Sequence, residues 1–271
     1  MEKTYLTIAK IIFEPLIMVN DSMADGTGWK RFALKAKKTE IDTVKSFYFE
    51  SKESPMYFAP GQHIVMRFHD LEGDQRGKMR HFSISTSPLE GKYIGITTTV
   101  DPNGSPFKKK LDSVKVGEDV DILGPVGNFT FESKIWNDRI IVLIAGGIGI
   151  TPFRSMIRYA LSTSGNFRIH LFYSGKSGKE FIFRDELDKM AATDKRLRIF
   201  YTSTGETASG TPNIHAGRID HDFITTNVED LGNSFFYICG PPRMVEEIAG
   251  TARSDLGIEK DRIKTEQFLG Y

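Results

Sequence analysis

The chain has 271 residues, of which 39% are hydrophobic and 26% charged, and its 36 Lys and Arg nearly balance its 35 Asp and Glu. This length suits two domains with sizeable cores, and the near-zero net charge gives no reason to expect nucleic-acid binding. The single cysteine, Cys239, excludes an internal disulfide and a multi-cysteine zinc or iron–sulfur centre, and it favours a cytoplasmic setting.

The first 28 residues form an appendage that ends in the loop-like sequence NDSMADGTG (20–28). Its apolar stretch, residues 8–19, is interrupted by Lys10, Glu14 and Pro15. It is therefore too short and too charged for a membrane span or a signal-peptide core. We expect the segment to fold back on the body, and any membrane association to be confined to residues 1–28.

Residues 29–134 have the pattern of a small antiparallel β-barrel. Short runs with a two-residue period are separated by Gly, Pro and Asp, as in a closed sheet of short strands. The pattern predicts strands within residues 31–38, 44–51, 61–69, 80–85, 93–100 and 119–123.

Residues 135–271 have a different rhythm, in which strands alternate with helices. RIIVLIAG (139–146) and FRIHLFYSG (167–175) are apolar runs typical of buried parallel strands, and residues 196–204 and 234–240 are similar. Helical patterns cover residues 151–162, 179–192 and 241–253. The fold class predicted is thus two-domain: a barrel followed by a parallel α/β sheet with helices on both faces, joined near residues 132–138.

Two turns at predicted strand ends are candidate ligand sites. AGGIGITP (145–152) places Gly146, Gly147 and Gly149 before a helix that Thr151 could cap and Pro152 could begin. YICGPPRMV (237–245) forms a second turn. In a parallel sheet such ends can hold a pyrophosphate. A tight turn without a ligand is the alternative for the glycines, and a buried core position is the alternative for Cys239.

The barrel segment RHFSIS (80–85) carries a cation, an aromatic ring and hydroxyls. Strand alternation puts Arg80 and Phe82 on one side and His81 and Ser83 on the other. An ordinary barrel strand with one polar face is the alternative interpretation.

Together these segments resemble the ferredoxin–NADP⁺ reductase superfamily of flavoproteins, in its single-flavin form without an iron–sulfur domain. APGQHIVMRF (59–68) resembles a strand entry of that family, RHFSIS its flavin motif, and NGSPFKKKL (103–111) with VGEDVDILGPVGNF (116–129) its flavin-pyrophosphate region. The turns at 145–152 and 237–245 and the ending TEQFLGY (265–271) resemble its nicotinamide side. The match runs from residue 29 to residue 271. The family's usual Tyr in the flavin motif is Phe82 here.

The resemblance implies a set of site residues. To FAD, with FMN less favoured, it assigns Arg80 at the phosphate, His81, Phe82 against the ring, Ser83 near the hydride-accepting nitrogen, Thr97, Thr98, Thr99, Gly104 and Ser105. To NADPH or NADH it assigns Gly146, Gly147, Gly149, Thr151, Pro152, Ser174, Lys176, Ser203, Cys239, Gly240 and Pro241. To catalysis it assigns Ser83, Cys239, Glu266 and Tyr271, with Phe268 as a second candidate for the aromatic cover.

The implied function is an NAD(P)H-dependent flavoprotein oxidoreductase. It would pass hydride from nicotinamide to FAD and then single electrons to an external protein acceptor such as ferredoxin or flavodoxin. Two alternatives remain open: the reductase subunit of an oxygenase, ferric reductase or other complex, and a non-catalytic flavin-holding electron conduit.

The residues leave open the preference for NADPH or NADH and the role of the lysine run 108–110. Lys176, Lys179 and Arg184 favour NADPH through its 2′-phosphate, although Glu180 and Asp185 lie nearby. The lysine run 108–110 could steer an acidic acceptor or be a solvated face. The histidines have no ligand spacing, so we predict no metal site.

Overall fold

A computed structural model of the chain describes residues 28–131, 138–177, 181–205 and 213–268. The predicted appendage, apart from Gly28, and most of the predicted junction at 132–138 lie outside these residues, so the domain boundaries stay predictions. None of the helices within the described ranges has the length and apolarity that a bilayer crossing requires.

The first domain is a six-stranded antiparallel barrel. Its strands are β1 (Trp29–Ile41), β2 (Val44–Ser51), β3 (His63–Arg67), β4 (Met79–Ser83), β5 (Ile94–Thr99) and β6 (Asp119–Val126), in the order β4-β3-β6-β1-β2-β5. A bridge between Ile84 and Ile96 joins the two edge strands and closes the barrel. Helix α1 (Pro106–Ser113) places Phe107 and Leu111 in the barrel core. The predicted barrel is confirmed.

The second domain is a parallel sheet with helices on both faces. It contains β7 (Arg139–Gly146), α2 (Ile150–Leu161), β8 (Phe167–Gly175), α3 (Arg184–Thr193), β9 (Leu197–Ser203), β10 (Ile214–Ala216), α4 (His221–Asn227), β11 (Ser234–Gly240), α5 (Pro242–Ser254) and β12 (Ile263–Gln267). The strand order is β10-β9-β8-β7-β11-β12.

Alternation along β7 explains the two layers of helices. Ile141, Leu143 and Ala145 belong to the core under α2 and α3, whereas the intervening Ile140, Val142 and Ile144 belong to the core under α4 and α5. A central strand buried on both faces has no polar side, which is why its sequence is a continuous apolar run.

Three local expectations differ from the structure. Helix α2 begins at Ile150 after Gly149, so Thr151 does not cap it; the Thr151 hydroxyl donates to the Ile148 carbonyl at 3.0 Å instead. Pro152 accordingly stands third in the helix. The helix predicted at 179–192 starts only at Arg184, because Phe183 has the left-handed φ of 64° and ends the turn that precedes it. The structure also contains β10, α4 and β12, which the sequence patterns did not reveal.

Candidate functional site

The two glycine-containing turns lie side by side at one edge of the parallel sheet. Strands β7 and β11 are neighbours, with Ala145 opposite Cys239. The chain moves from β7 outward through β8, β9 and β10 on one side, and through β11 and β12 on the other. The ends of β7 and β11 therefore form the topological switch point, where open α/β sheets bind their ligands.

Two of the three glycines in the first turn are explained by this close approach. A Cβ on Gly149 would lie 2.3 Å from the Cys239 carbonyl oxygen, and a Cβ on Gly146 would lie 2.5 Å from Met244 Sδ. Gly147 differs, because it has φ +53° and nothing lies within 4 Å of its Cβ direction. The groove between the ends of β7 and β11 is here called the crevice. Gly146 and Gly149 allow its sides to pack closely, and Gly147 leaves free space at its opening.

Polar groups of the barrel meet the other end of this crevice. His63 on β3 is paired with Ser83 on β4, and its Nδ1 lies 3.8 Å from Glu266 Oε1 on β12. Glu266 is in turn opposite Cys239 on β11. His63 Nδ1, Ser83 Oγ and Glu266 Oε2 are buried and have no hydrogen-bond partner within the described residues. Buried polar atoms normally have partners, so the cluster is arranged for a polar ligand.

Burial sets the protonation of this cluster. It raises the pKa of Glu266 to about 7, and burial with the neighbouring His81 lowers the pKa of His63. Burial and the Glu266 carboxylate also hold the pKa of Cys239 well above its usual value. Cys239 is fully buried and is therefore a neutral thiol, unsuited to act as a thiolate nucleophile. Glu266 changes charge near neutral pH and is the group able to hold or release a proton.

A second polar cluster lies beside helix α1. Asp74 Oδ1 pairs with the Arg80 guanidinium at 2.5 Å, and the side chains of both residues are almost fully buried. Asp74 also accepts the backbone N–H groups of Phe107 and Arg76, at 3.0 and 2.9 Å. Arg80 donates to three carbonyl oxygens of residues 76–79, while its Nε lacks a partner within the described residues.

The lysine run 108–110 does not form one basic face. Lys108 turns inward, where its Nζ donates to Thr98 Oγ1 and lies 5.2 Å from the centre of the Phe82 ring. Lys110 pairs with Asp70 at 2.7 Å. Lys109 alone of the three is exposed, so the run offers little to an approaching acidic acceptor.

Comparison with known families assigns both domains. Residues 31–131 match the model of the oxidoreductase FAD-binding domain, and residues 143–250 match that of the oxidoreductase NAD-binding domain. The chain belongs to the ferredoxin–NADP⁺ reductase superfamily. It combines the FAD-binding domain and the NAD-binding domain of oxidoreductases.

Individual relatives agree with this assignment. A flavohemoprotein of Burkholderia sp. strain TH2 is 35% identical over 69% of this chain, which covers 47% of that relative. The FAD/NAD-binding domain of a Vibrio cholerae nitric oxide dioxygenase has a TM-score of 0.74 at 22% identity, covering 88% of this chain and 98% of the other. The cytochrome b5 reductase domain of an Ulva prolifera nitrate reductase has the same TM-score and identity, over 88% and 97%. The chain spans about half to two thirds of the length of the curated relatives it matches.

The residues of both clusters fit the flavin that the superfamily binds. Three unpartnered polar atoms at the domain junction suit the edge of a heteroaromatic ring, and the guanidinium of Arg80 with the ammonium of Lys108 suits phosphate. Among the predicted flavin residues, Ser83 and Arg80 lie in these clusters. Gly104 and Ser105 precede α1, and the Ser105 side chain caps it by accepting from the Lys108 N–H.

Other predicted flavin residues are less open than the resemblance implied. Thr97 is tied by its hydroxyl to Ser46 and Ser85, at 2.7 and 3.0 Å, while Thr98 faces Lys108. Alternation along β5 therefore separates Thr98 from Thr97 and Thr99. Phe82 packs in the barrel core, and His81 is exposed beside His63. Contact of all these residues with one ring stays a prediction.

On the ribose side, the predicted residues lie at neighbouring strand ends. Ser174 is the penultimate residue of β8 and Ser203 the last residue of β9, and Ser203 Oγ donates to the Lys176 carbonyl at 3.2 Å. Arg184 stacks on Tyr201 and lies 3.6 Å from Asp188. Lys176 is exposed. Lys179, Glu180 and Tyr271 lie outside the described residues, and Phe268 donates its N–H to the Gly240 carbonyl at 3.0 Å.

Several residues of these clusters could not be recognised from the sequence alone. His63 has no ligand spacing with the other histidines, Lys108 reads as surface charge within its lysine run, and Asp74 belongs to no motif. Each acquires its role from neighbours distant in the chain, such as Glu266 for His63 and Phe107 for Asp74. The one signal available was the position of His63 directly after the Pro-Gly-Gln strand entry.

Proposed function

We propose that this chain transfers hydride from NADH or NADPH to FAD at the junction of its domains and then delivers single electrons to a protein acceptor such as ferredoxin or flavodoxin. The observation that carries the proposal is the cluster of unpartnered polar atoms on Ser83, His63 and Glu266, beside the switch point of the nucleotide domain. When bound, FAD supplies the two-electron and one-electron chemistry.

The residues of the cluster have separate tasks in this proposal. The Ser83 hydroxyl donates a hydrogen bond to the atom on which negative charge develops. Glu266, with its pKa of about 7, holds a proton at the crevice and exchanges it near neutral pH. Neutral Cys239 forms the floor between Ala145 and Glu266 without taking part in covalent chemistry.

The visible spectrum of the purified protein tests this function. We expect a yellow protein whose flavin absorbance is lost on anaerobic addition of NADH or NADPH and returns on addition of a one-electron acceptor. A correctly folded, colourless preparation that takes up neither FAD nor FMN would refute the proposal. A yellow protein that neither nucleotide bleaches would instead support the non-catalytic conduit, which the NAD-binding domain match does not favour.

A second candidate is the reductase portion of a larger electron-transfer assembly, such as an oxygenase or ferric reductase. It is favoured by the coverage of the relatives, since both structural neighbours are named as domains of larger proteins. Removal of residues 1–28 should then abolish coupling to the partner and spare reduction of a dye. Equal loss of both activities would argue against a docking role for that segment.

The nucleotide preference depends on which cations face the ribose. Arg184 is held by Tyr201 and Asp188, so we propose that a 2′-phosphate would be met by the exposed Lys176. Lys176→Met should then lower kcat/KM for NADPH and leave that for NADH unchanged. Equal effects on the two nucleotides would remove this assignment.

A further inference from the structure

The backbone donors at the start of helix α1 are already occupied. Pro106 has no N–H, the Phe107 N–H is given to Asp74 at 3.0 Å, and the Lys108 N–H is given to Ser105 Oγ at 3.4 Å. The Lys109 N–H bonds the Ser105 carbonyl. The groups that commonly hold phosphate at a helix N-terminus are therefore used within the protein.

Asp74 is poorly suited to give way to a phosphate. Its side chain is 4% exposed, and it accepts hydrogen bonds from Arg80, Arg76 and Phe107. Although burial opposes it, these hydrogen bonds lower the pKa of Asp74, so the carboxylate is ionised in its place. Breaking such a buried pair is strongly unfavourable. Asp74 is better understood as a brace that fixes Arg80 and α1 relative to each other.

Two cationic groups next to this brace remain available. The Lys108 ammonium is enclosed over the Phe82 ring and, within the described part of the chain, forms no ion pair. Arg80, whose guanidinium lies 5.1 Å from the Phe107 ring, keeps its buried Nε without a partner among the same residues. The Phe82 and Phe107 rings are themselves neighbours, with centroids 6.0 Å apart. An enclosed ammonium without a counter-charge is costly, which indicates that an anion belongs here.

We propose that the Lys108 ammonium, together with Nε of Arg80, binds the phosphates of FAD in place of the N-terminal N–H groups of α1. The inference deepens the flavin site and rests on FAD binding by this domain. It gives Lys108 a role separate from its exposed neighbour Lys109, and it assigns Asp74 as a positioning residue. The sequence NGSPFKKKL thus contains a side-chain phosphate site, not a backbone one.

Flavins with and without phosphate test this assignment. Full-length protein stripped of flavin is titrated with riboflavin, FMN and FAD, following the quenching of flavin fluorescence. One charge-assisted hydrogen bond corresponds to roughly 10- to 100-fold in affinity. We expect Lys108→Met to weaken FMN and FAD by that factor and riboflavin by less than about twofold. Lys108→Arg should keep most of the phosphate preference, and Lys109→Met is the matched control and should behave as wild type.

Two outcomes of the titration would overturn the proposal. If Lys108→Met weakens riboflavin as much as FMN and FAD, the lysine supports the ring or the packing. If no flavin loses affinity, the phosphates are bound elsewhere. Thermal melts of the flavin-free variants separate a folding defect from a binding one, and Lys108→Arg carries the test should Lys108→Met not fold.

The pH dependence of wild-type binding provides a measurement that needs no variant. Burial, then Arg76 and Arg80, lower the pKa of Lys108 to about 8. The lowered pKa of Asp74 keeps its carboxylate ionised across this range, and arginine side chains do not deprotonate in proteins. The charge of the site therefore changes through Lys108. FAD affinity should be level below pH 8 and fall about tenfold per unit above it, because the neutral amine loses its attraction for phosphate.

FAD is the suitable ligand for this series, since the phosphate of FMN changes charge near pH 6. Riboflavin, measured in parallel, shows the titration of the ring itself. The Lys108→Arg variant should have a level FAD profile. A wild-type FAD profile that stays level to pH 9.5, or that follows riboflavin, would refute Lys108 as the phosphate ligand.

Discussion

Ser83 and Ser85 lie two residues apart at the end of β4 and differ in their hydrogen bonds. The Ser85 hydroxyl donates to the Gly95 carbonyl at 3.2 Å and contacts the Thr97 hydroxyl at 3.0 Å. The Ser83 hydroxyl is equally buried and has no partner within the described residues. A buried hydroxyl without a hydrogen-bond partner lowers stability, so the hydroxyl of Ser83 is better explained by ligand binding than by a role in the fold.

Substitution of each serine separates these roles. Ser83→Ala should slow flavin reduction by NAD(P)H roughly 100-fold, since it removes one donor to developing charge, while changing the unfolding free energy by less than about 1 kcal/mol. Ser85→Ala should cost about 1–3 kcal/mol of stability and leave reduction nearly unchanged. Stopped-flow bleaching and urea unfolding measure the two effects. A fully active Ser83→Ala protein would contradict the role given to this hydroxyl.

Glu266 should make the stability of the flavin-free protein depend on pH. Its folded pKa of about 7 lies above the ordinary 4.5, so the folded state holds the proton more tightly. The stability it contributes is complete below pH 4.5 and is lost as the pH rises to 7, about 3 kcal/mol in all. The lowered pKa of His63 acts in the opposite direction below pH 6.5.

The difference between wild type and Glu266→Gln isolates this carboxyl. Urea unfolding at pH 5 and pH 8 should show the variant gaining about 3 kcal/mol relative to wild type at the higher pH. Glu259→Gln, at an exposed position, should show no such gain. Parallel pH profiles for wild type and Glu266→Gln would mean that the carboxyl titrates normally.

At the scale of elements, the glycines of the turn between β7 and α2 meet two requirements: close packing against neighbouring elements and an open approach for a ligand. The sequence alone does not show which glycine meets which requirement. All three glycines fit a phosphate-binding turn, but in the structure Gly149 allows the approach of β11, Gly146 allows the approach of Met244 on α5, and Gly147 faces open space. Strand periods and apolar runs predicted the main elements well, because burial dictates both. Strand β12, with the polar sequence IKTEQ, forms by pairing with β11 and carries no such signal.

Alanine at two of these glycines should give opposite patterns. Gly149→Ala forces a methyl group against the Cys239 carbonyl and should cost at least about 2 kcal/mol of stability. Gly147→Ala has room for the methyl group and should cost about 1 kcal/mol for its left-handed backbone, yet raise KM for the nucleotide by roughly tenfold. Thermal unfolding and steady-state kinetics check both. Unchanged KM in Gly147→Ala would place the dinucleotide elsewhere.

At the scale of the whole molecule, helix α2 joins the nucleotide turn to the barrel. Arg154 donates to the Ser85 carbonyl at 2.7 Å and to the Glu90 carboxylate at 3.1 Å, and it also pairs with Glu186 of α3. Ser155 donates to the Thr86 carbonyl at 2.6 Å. Two domains could be predicted from the change of rhythm near residue 135.

The hydrogen bonds that Arg154 and Ser155 make to the barrel, here called the clamp, could not be predicted. Arg154 and Glu90 are 64 residues apart, and either reads as surface charge in the sequence.

Removal of the clamp should loosen the domains and impair their joint function. Among the described residues, Arg154→Met leaves Glu90 and Glu186 with Arg158 as their one ion-pair partner, and it should cost about 3–5 kcal/mol of stability, as for a broken buried ion pair. Flavin affinity should be kept, because the proposed phosphate ligands Arg80 and Lys108 lie within the barrel. Hydride transfer should slow as the crevice moves relative to Ser83.

Arg158→Met is the matched control, since Arg158 shares both glutamates, is more exposed and makes no bond to the Ser85 carbonyl. Calorimetry should show a larger loss of stability for Arg154→Met than for Arg158→Met, or two separate unfolding transitions in Arg154→Met only. If both variants lose the same stability and the same rate, the glutamates and not the interdomain bond hold the two halves of the active site together.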